Sequence, residues 1–206
     1  MPGLFPRWSD LVLRITLVLL AAAAFGIPIA LMTYVRTPYN TQQNLVVEQP
    51  VQFDHRHHVL DDGIECLYCH RGAERAASAG VPATEVCMGC HAQVWNQSRL
   101  LEPVRASYYS GRPIAWNRVH DLPDFVQFNH GVHVSAGVQC AQCHGAVERM
   151  PLVHKVESFS MGFCLDCHRH PDRRVSGYTP LPGAARPPPE SGFVDDTLTS
   201  CTACHR

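Results

Sequence analysis

Hydrophobic residues are concentrated in one run near the N-terminus. Ile15–Val35 has 21 residues without a charge, with Arg7 and Arg14 before it and Arg36 after it. A membrane-spanning helix needs roughly 20 apolar residues, whereas the apolar region of a cleaved signal peptide spans only about 7–15. The pattern therefore predicts a transmembrane helix over residues 15–35, preceded by a short N-terminal segment, residues 1–14.

Little regular structure is predicted beyond this run. Residues 36–52 are polar and predict a tether. Residues 169–206 contain five prolines between Pro180 and Pro189, a composition that favours an extended, polyproline-like arm. We expect only short helical turns elsewhere and no strands.

The cysteines indicate the chemistry. All ten fall into C-x-x-C pairs: Cys66/Cys69, Cys87/Cys90, Cys140/Cys143, Cys164/Cys167 and Cys201/Cys204. A histidine follows each pair directly: His70, His91, His144, His168 and His205. C-x-x-C-H is the attachment motif of c-type haem, in which the thiols bind haem covalently and the histidine is the proximal iron ligand. The sequence predicts five covalently bound c-type haems.

Two other uses of paired cysteines fit less well. A zinc site can use C-x-x-C pairs, but zinc does not explain a histidine after every pair. Five disulfides that each closed a two-residue loop would constrain the chain very little.

Length and charge limit the remaining possibilities. The chain has 206 residues and a net charge of −1, which gives no indication of nucleic-acid binding. Residues 36–206 provide about 34 residues for each motif, too few for an ordinary hydrophobic core. The predicted fold class is a mostly irregular, short-helical multihaem cytochrome c with a haem-packed core and one N-terminal transmembrane helix.

Part of the chain is duplicated. Residues 53–91 and 128–168 each begin with F-x-H-x-x-H and continue to two C-x-x-C-H motifs. The second copy is one residue shorter between the histidines and the first cysteine. We therefore predict two di-haem modules, joined by a connector, residues 92–127. The arm, residues 169–206, carries the fifth motif and is expected to lie against another surface.

The remaining histidines are candidates for the distal iron position. A second histidine closes the iron and favours electron transfer, whereas an open position permits substrate chemistry. The repeat places four candidates equivalently, and a histidine ahead of the second module is the fifth: His55, His58, His130, His133 and His120. A polar contact is expected for His57, and surface positions for His154 and His170. Met161 or Met150 could instead replace one histidine, although packing is the favoured role for both.

These motifs resemble a known family. The single span, FDHRHHV before Cys66, WNRVHDLPDFVQFNHGVHV before Cys140 and SFSMGFCLDCHR around Cys164 resemble the pentahaem cytochrome c subunit of bacterial alternative complex III. The F-x-H-x-x-H modules also look like those of the cytochrome c3/c7 group. In that group the paired histidines are distal ligands of two separate haems, which implies the same role for the histidine pairs of both modules here.

The resemblance implies a place in electron transport. The chain would relay electrons from quinol oxidation to a periplasmic acceptor, a monohaem cytochrome c or a blue-copper protein. Its partners would be membrane and iron–sulfur subunits of a quinol-oxidising complex, with no catalytic residue of its own. Because haem attachment takes place outside the cytoplasmic membrane in bacteria, the N-terminus is expected to be cytoplasmic and the haem domain extracytoplasmic. The C-terminal arm is the part expected to reach a partner.

Two other functions are compatible with the motifs. One is a self-contained, single-span multihaem quinol dehydrogenase that binds quinol itself. The other is a catalytic multihaem reductase, which would need an iron with an exchangeable sixth ligand.

Overall fold

The computed structural model describes residue 6, residues 8–169 and residues 198–205. It divides into two compact units, residues 1–42 and residues 43–206. The proline-rich part of the predicted arm lies outside the described residues.

The first unit consists mainly of one long helix. Helix α1 spans Trp8–Tyr34 and includes Gly26 and Pro28 without ending, so it begins seven residues before the predicted span. The Arg36 guanidinium donates a hydrogen bond to the Met32 carbonyl at 2.8 Å, which satisfies a carbonyl at the C-terminus. By length and composition the helix suits a membrane span, and a signal sequence would have the same character. A short helix, α2, follows at Pro38–Thr41.

The second unit contains short helices and irregular segments, as the sequence predicts. Its α-helices are α3 Cys66–Cys69, α4 Thr84–His91, α5 Glu102–Ser110, α6 His130–Ser135, α7 Cys140–His144, α8 Met161–Arg169 and α9 Cys201–Cys204. A π-helix spans Arg56–Asp61, and single 3₁₀ turns span Arg71–Glu74, Arg99–Leu101 and Val147–Arg149. β-Structure in the described part of the chain is limited to three isolated bridges. The prediction of short helices, irregular segments and one long apolar N-terminal helix is confirmed for the described residues.

The hydrophobic core of this unit is thin. Its largest buried cluster joins Val51, Met88 and Val104, and packs helix α4 against helix α5. Met88, which lies between the cysteines of the second motif, is thus a packing residue. Within the described residues no side chain is completely buried, in keeping with a fold in which haem supplies much of the interior.

The first residues of the second unit form hydrogen bonds with the second module. The Asn44 amide donates to the Lys155 carbonyl at 2.7 Å, and Gln43 Nε2 donates to the Val156 carbonyl at 2.6 Å. Val46 forms a bridge with His154. Residues 43–46, which the sequence places in a tether, are therefore held by hydrogen bonds.

Candidate haem-binding site

Each C-x-x-C-H motif forms one helical turn. The His70 amide bonds to the Cys66 carbonyl and the His205 amide to the Cys201 carbonyl, both at 2.9 Å. Residues i and i+3 of such a turn share one face, so both thiols of a motif can reach one flat ligand. No disulfide joins any of the ten cysteines. No three His, Cys, Asp or Glu side chains within residues 8–169 and 198–205 are grouped to hold a metal ion.

The second motif differs from the others in the exposure of its cysteines. In the first, third and fifth motifs the first cysteine is exposed and the second is half-buried, whereas here Cys87 is half-buried and Cys90 is exposed. The order is reversed because Cys87 packs against the buried cluster between helices α4 and α5. The sequence, which presents five identical motifs, does not predict this departure at Cys90. Attachment of haem through Cys90 as well as Cys87 stays a prediction.

Four of the five motif histidines are fixed through Nδ1. Each Nδ1 lies 2.7–3.2 Å from a backbone carbonyl oxygen: His70 with Gly80, His91 with Val94, His168 with Leu198 and His205 with Phe125. Because a carbonyl oxygen only accepts, Nδ1 carries the proton and the Nε2 lone pair remains available. This hydrogen bond is the usual means of orienting a metal-ligating histidine.

A glycine makes one of these contacts possible. The loop that supplies the Gly80 carbonyl passes so close to Gly72 that a Cβ atom there would lie 2.7 Å from the Ser78 and Ala79 carbonyl oxygens. Glycine at residue 72 therefore lets the loop approach and hold His70.

Three of the upstream histidines have the same arrangement. Nδ1 of His58, His130 and His133 donates to the carbonyls of Asp54, Ala77 and Asn129 at 3.2, 2.8 and 2.8 Å. Their Nε2 atoms are thus the available ligand atoms. His57 differs, because its Nδ1 pairs with the exposed Asp61 carboxylate at 2.8 Å. The polar contact expected for His57 is confirmed.

A phenylalanine packs between the two histidines of each module. Phe53 meets His55 edge-on at 4.7 Å and stacks on His58 at 4.4 Å between ring centroids. Phe128 repeats this geometry with the histidines of the second module at 4.7 and 4.5 Å. The sequence pattern F-x-H-x-x-H includes this phenylalanine but does not indicate its role. Its ring packs against both imidazoles and so fixes their positions.

Three pairs of histidine rings have the spacing that two ligands of one iron require. Two imidazoles bound on opposite sides of one metal, at about 2 Å each, place their ring centroids roughly 6 Å apart. The centroid distances are 6.1 Å for His58/His91, 6.0 Å for His133/His168 and 6.3 Å for His130/His144. The residues present therefore fit haem with two histidine ligands.

His55 and His120 have buried ring nitrogens. Nδ1 of His55 and Nε2 of His120 are buried without a hydrogen-bond partner. Burial, the larger cause, and the charge of His70 lower the pKa of His55 to about 4. Burial, again the larger cause, and the charge of His144 lower the pKa of His120 to about 4. Both rings are therefore neutral at pH 7, as metal ligation requires.

The position of His120 restricts its pairing. Its ring meets that of His144 edge-on, with centroids 4.3 Å apart. That distance is too short for the two rings to lie on opposite sides of one iron. If His120 is the fifth distal ligand, as its sequence position suggests, its iron belongs to another motif. His154 donates to the Leu152 carbonyl at 3.3 Å, and His170 lies outside the described residues.

The methionine alternatives also have defined positions. Met150 is buried, whereas 66% of Met161 is exposed. Met150 packs beside Gly145 and Val156. A Cβ atom on Gly145 would lie 3.4 Å from Met150 Cε and 2.7 Å from Val156 Cγ2. This contact is consistent with the packing role favoured for Met150.

The thiols show which motifs are neighbours. Burial raises the pKa of the Cys87 thiol, and the negative charge of Cys69 in the first motif raises it further. Burial and then Cys66 raise the pKa of Cys140. Burial raises the pKa of Cys143 to about 11, with Cys167 and Cys164 as the next causes.

The neighbour relations extend to the last motif. Burial and then Cys204 raise the pKa of Cys164. Numbering the motifs one to five along the chain, the neighbouring thiols are those of motifs two and one, one and three, three and four, and four and five. We refer to them as sites 1 to 5.

Site 5 is held by the connector. The Gln127 amide donates to the Cys204 carbonyl at 2.8 Å, and Val126 forms a bridge with His205. The surface expected to receive the fifth motif is thus part of the same chain.

Comparisons with known proteins agree with this chemistry. The model of the cytochrome c3 family matches residues 132–206. Over 103 residues the chain is 39% identical to the multihaem cytochrome c subunit of a menaquinone reductase from Nitratidesulfovibrio vulgaris. The match covers 50% of this chain and 48% of that protein, so it spans about half the length of each. The chain is thus similar to the cytochrome c3 family over residues 132–206, and to the multihaem cytochrome c subunit of a menaquinone reductase over half of its length.

Proposed function

We propose that this chain is a membrane-anchored pentahaem c-type cytochrome that relays electrons between a quinol pool and an extracytoplasmic acceptor. The observation that carries the proposal is the set of histidine pairs at 6.0–6.3 Å. Such pairs leave no free position on an iron, which favours electron transfer over substrate chemistry. The proposal includes all five motifs, because each forms a helical turn.

The chain itself positions and insulates the sites. Haem, when bound, supplies an iron centre that accepts and releases one electron at each site. The cysteine turns fix where each haem lies, and the exposed Cys90 is proposed to hold the haem of site 2 at the surface of the unit. The Nδ1 hydrogen bonds leave the Nε2 atoms available as the ligands that would bind a haem iron.

Each site is proposed to have its own distal histidine. We assign His55 to site 1, because His70 contributes to the lowered pKa of His55 after burial. We assign His58 to site 2, His130 to site 3 and His133 to site 4 from their ring distances. His120 is proposed for site 5, the one motif without an assigned partner.

The order of the sites defines a route. Sites 2 and 5 are the two ends, and site 3 joins the modules. Electrons are therefore proposed to enter at one end, pass through sites 1, 3 and 4 in sequence, and leave at the other. The C-terminal site 5 remains the proposed contact with an acceptor.

The quinone partner is proposed from the relative and from the family resemblance. Helix α1 is proposed to anchor the chain in the cytoplasmic membrane with its N-terminus inside and residues 43–206 outside. We propose that it assembles with membrane and iron–sulfur subunits, as in alternative complex III. The relative is named for quinone reduction, so the same relay suits either direction, and the potentials of the partners decide which one operates.

Purification of the chain from its native membranes in mild detergent tests this function. We expect it to co-purify with several partner subunits and to contain five covalent haems by intact mass. As a control, the isolated chain should not be reduced by a menaquinol analogue in the absence of its partners. Recovery as a lone monomer that is reduced directly by quinol would support the self-contained quinol dehydrogenase instead.

A further inference from the structure

The only lysine of the chain is buried. Lys155 is the one lysine among 206 residues, and 6% of it is exposed. Sixteen arginines supply the other positive charges. Since burying an ammonium group is costly, a lysine in this position indicates a specific role.

Both the backbone and the side chain of Lys155 make contacts that hold it in place. Its backbone is paired with residues 43–46 through the hydrogen bonds described above. Its Nζ lies 3.5 Å from the Asp121 carbonyl oxygen and 5.7 Å from the centroid of the Phe159 ring. The second of these contacts is a cation–π arrangement.

Phe159 links the lysine to site 3. Its ring centroid lies 5.7 Å from that of His120 and 6.2 Å from that of His144. Its backbone has a φ of 50°, in the left-handed region that bulky residues rarely adopt. Such a conformation at a functional site indicates that the position of the side chain matters. The charge of Lys155 also contributes to the lowered pKa of His120, after burial and His144.

We propose that Lys155 raises the reduction potential of the haem at site 3 by holding a fixed positive charge next to Phe159, whose ring lies beside that of His144. Oxidised haem carries one more positive charge than reduced haem, so a nearby cation favours the reduced form. The interaction is strong because burial limits screening by water. In the proposed relay, site 3 would take its electron from one neighbouring site and pass it to the other. The role rests on the proposed function only in requiring haem at site 3.

Redox titration of the full haem-loaded chain in detergent tests this role. We expect Lys155→Met and Lys155→Gln each to shift the reduction equilibrium of one haem at least tenfold towards the oxidised form, which is about 59 mV for one electron. Lys155→Arg keeps the charge and should restore the wild-type value. Arg99→Met, which removes an exposed charge, should leave every potential unchanged.

The outcomes separate this role from the proposed function. Unchanged potentials in both neutral variants, or an equal shift of all haems, would overturn the role of Lys155. Loss of a low-spin haem signal in those variants would also overturn it, because Lys155 would then be an iron ligand. A wild-type chain that binds fewer than five haems would contradict the proposed function instead.

Discussion

The imidazole rings of His133 and His168 lie 6.0 Å apart, and those of His58 and His91 lie 6.1 Å apart. In both cases the second histidine of F-x-H-x-x-H meets the histidine of the second attachment motif in its own module. The duplication in the sequence is therefore a duplication of the site. The first histidine of each pair is proposed to serve the first attachment motif of its module, as the family resemblance implies.

Removing one of these histidines should open a single iron. We expect His133→Ala to make one haem in five high-spin and able to bind carbon monoxide, because no other ligand replaces the lost imidazole. The absorbance change of the reduced protein on adding carbon monoxide measures this. His57→Ala is the control, since His57 pairs with Asp61 at the surface. A variant His133→Ala without carbon monoxide binding would show that His133 is not a ligand.

The phenylalanine of each module should affect ligand geometry more than overall stability. Phe128→Leu removes two ring contacts, each worth about 0.5–1.5 kcal/mol, and so should release the histidines on either side of it. We expect a larger high-spin fraction in the electron paramagnetic resonance spectrum and a loss of stability of about 1–3 kcal/mol. Phe53→Leu should do the same in the first module. Phe25→Leu, at a residue that is 73% exposed, should change neither quantity.

The extra residue of the first module is contained in the π-helix. The Ile64 amide bonds to the His58 carbonyl, six residues back, whereas the equivalent Val138 amide bonds to the His133 carbonyl, five residues back. Insertion of one residue into a helix commonly produces such a π-turn. Arg56–Asp61 is thus the counterpart of helix α6.

Deletion of Leu60 should therefore be tolerated. It would give the first module the spacing of the second, and we expect five low-spin haems in the purified variant. Deletion of Val134 from helix α6 is the matched control. That helix has no extra residue to lose, so one low-spin haem should be lost. Equal damage by the two deletions would show that the π-helix is not the compensating element.

A glycine allows the two modules to approach each other. A Cβ atom on Gly131 would lie 3.1 Å from the Glu74 carbonyl oxygen and 3.3 Å from Asn129 Oδ1. Gly131→Ala should therefore be less stable than Gly162→Ala, because the Glu74 carbonyl has to move by a few tenths of an ångström, whereas alanine in an unobstructed helix is more favourable than glycine by roughly 0.5–1 kcal/mol. Denaturant unfolding measures this change. Gly162→Ala is the control, because its nearest atom would be 3.8 Å away, and loss of stability in both variants would contradict the contact.

The sequence predicts the chemistry better than the arrangement. The five motifs, the repeat and the fold class follow from residue spacing, because haem attachment needs fixed local geometry. The pairing of His58 with His91 and the exposure of Cys90 depend on how the helices pack together. Local sequence patterns do not predict this packing. The same holds for site 5, which lies against Val126 through contacts between residues distant in sequence. The role of Lys155 could have been suspected from its being the only lysine.

The central claim is a continuous relay through five closed sites in the order two, one, three, four, five. An experimental structure of the haem-loaded chain tests it most directly. We predict two histidines on each iron, the pairs His58/His91, His130/His144 and His133/His168 among them, and consecutive haems close enough for direct electron tunnelling in that order. An iron with an open sixth position, or a gap in the series too wide for tunnelling, would contradict the account.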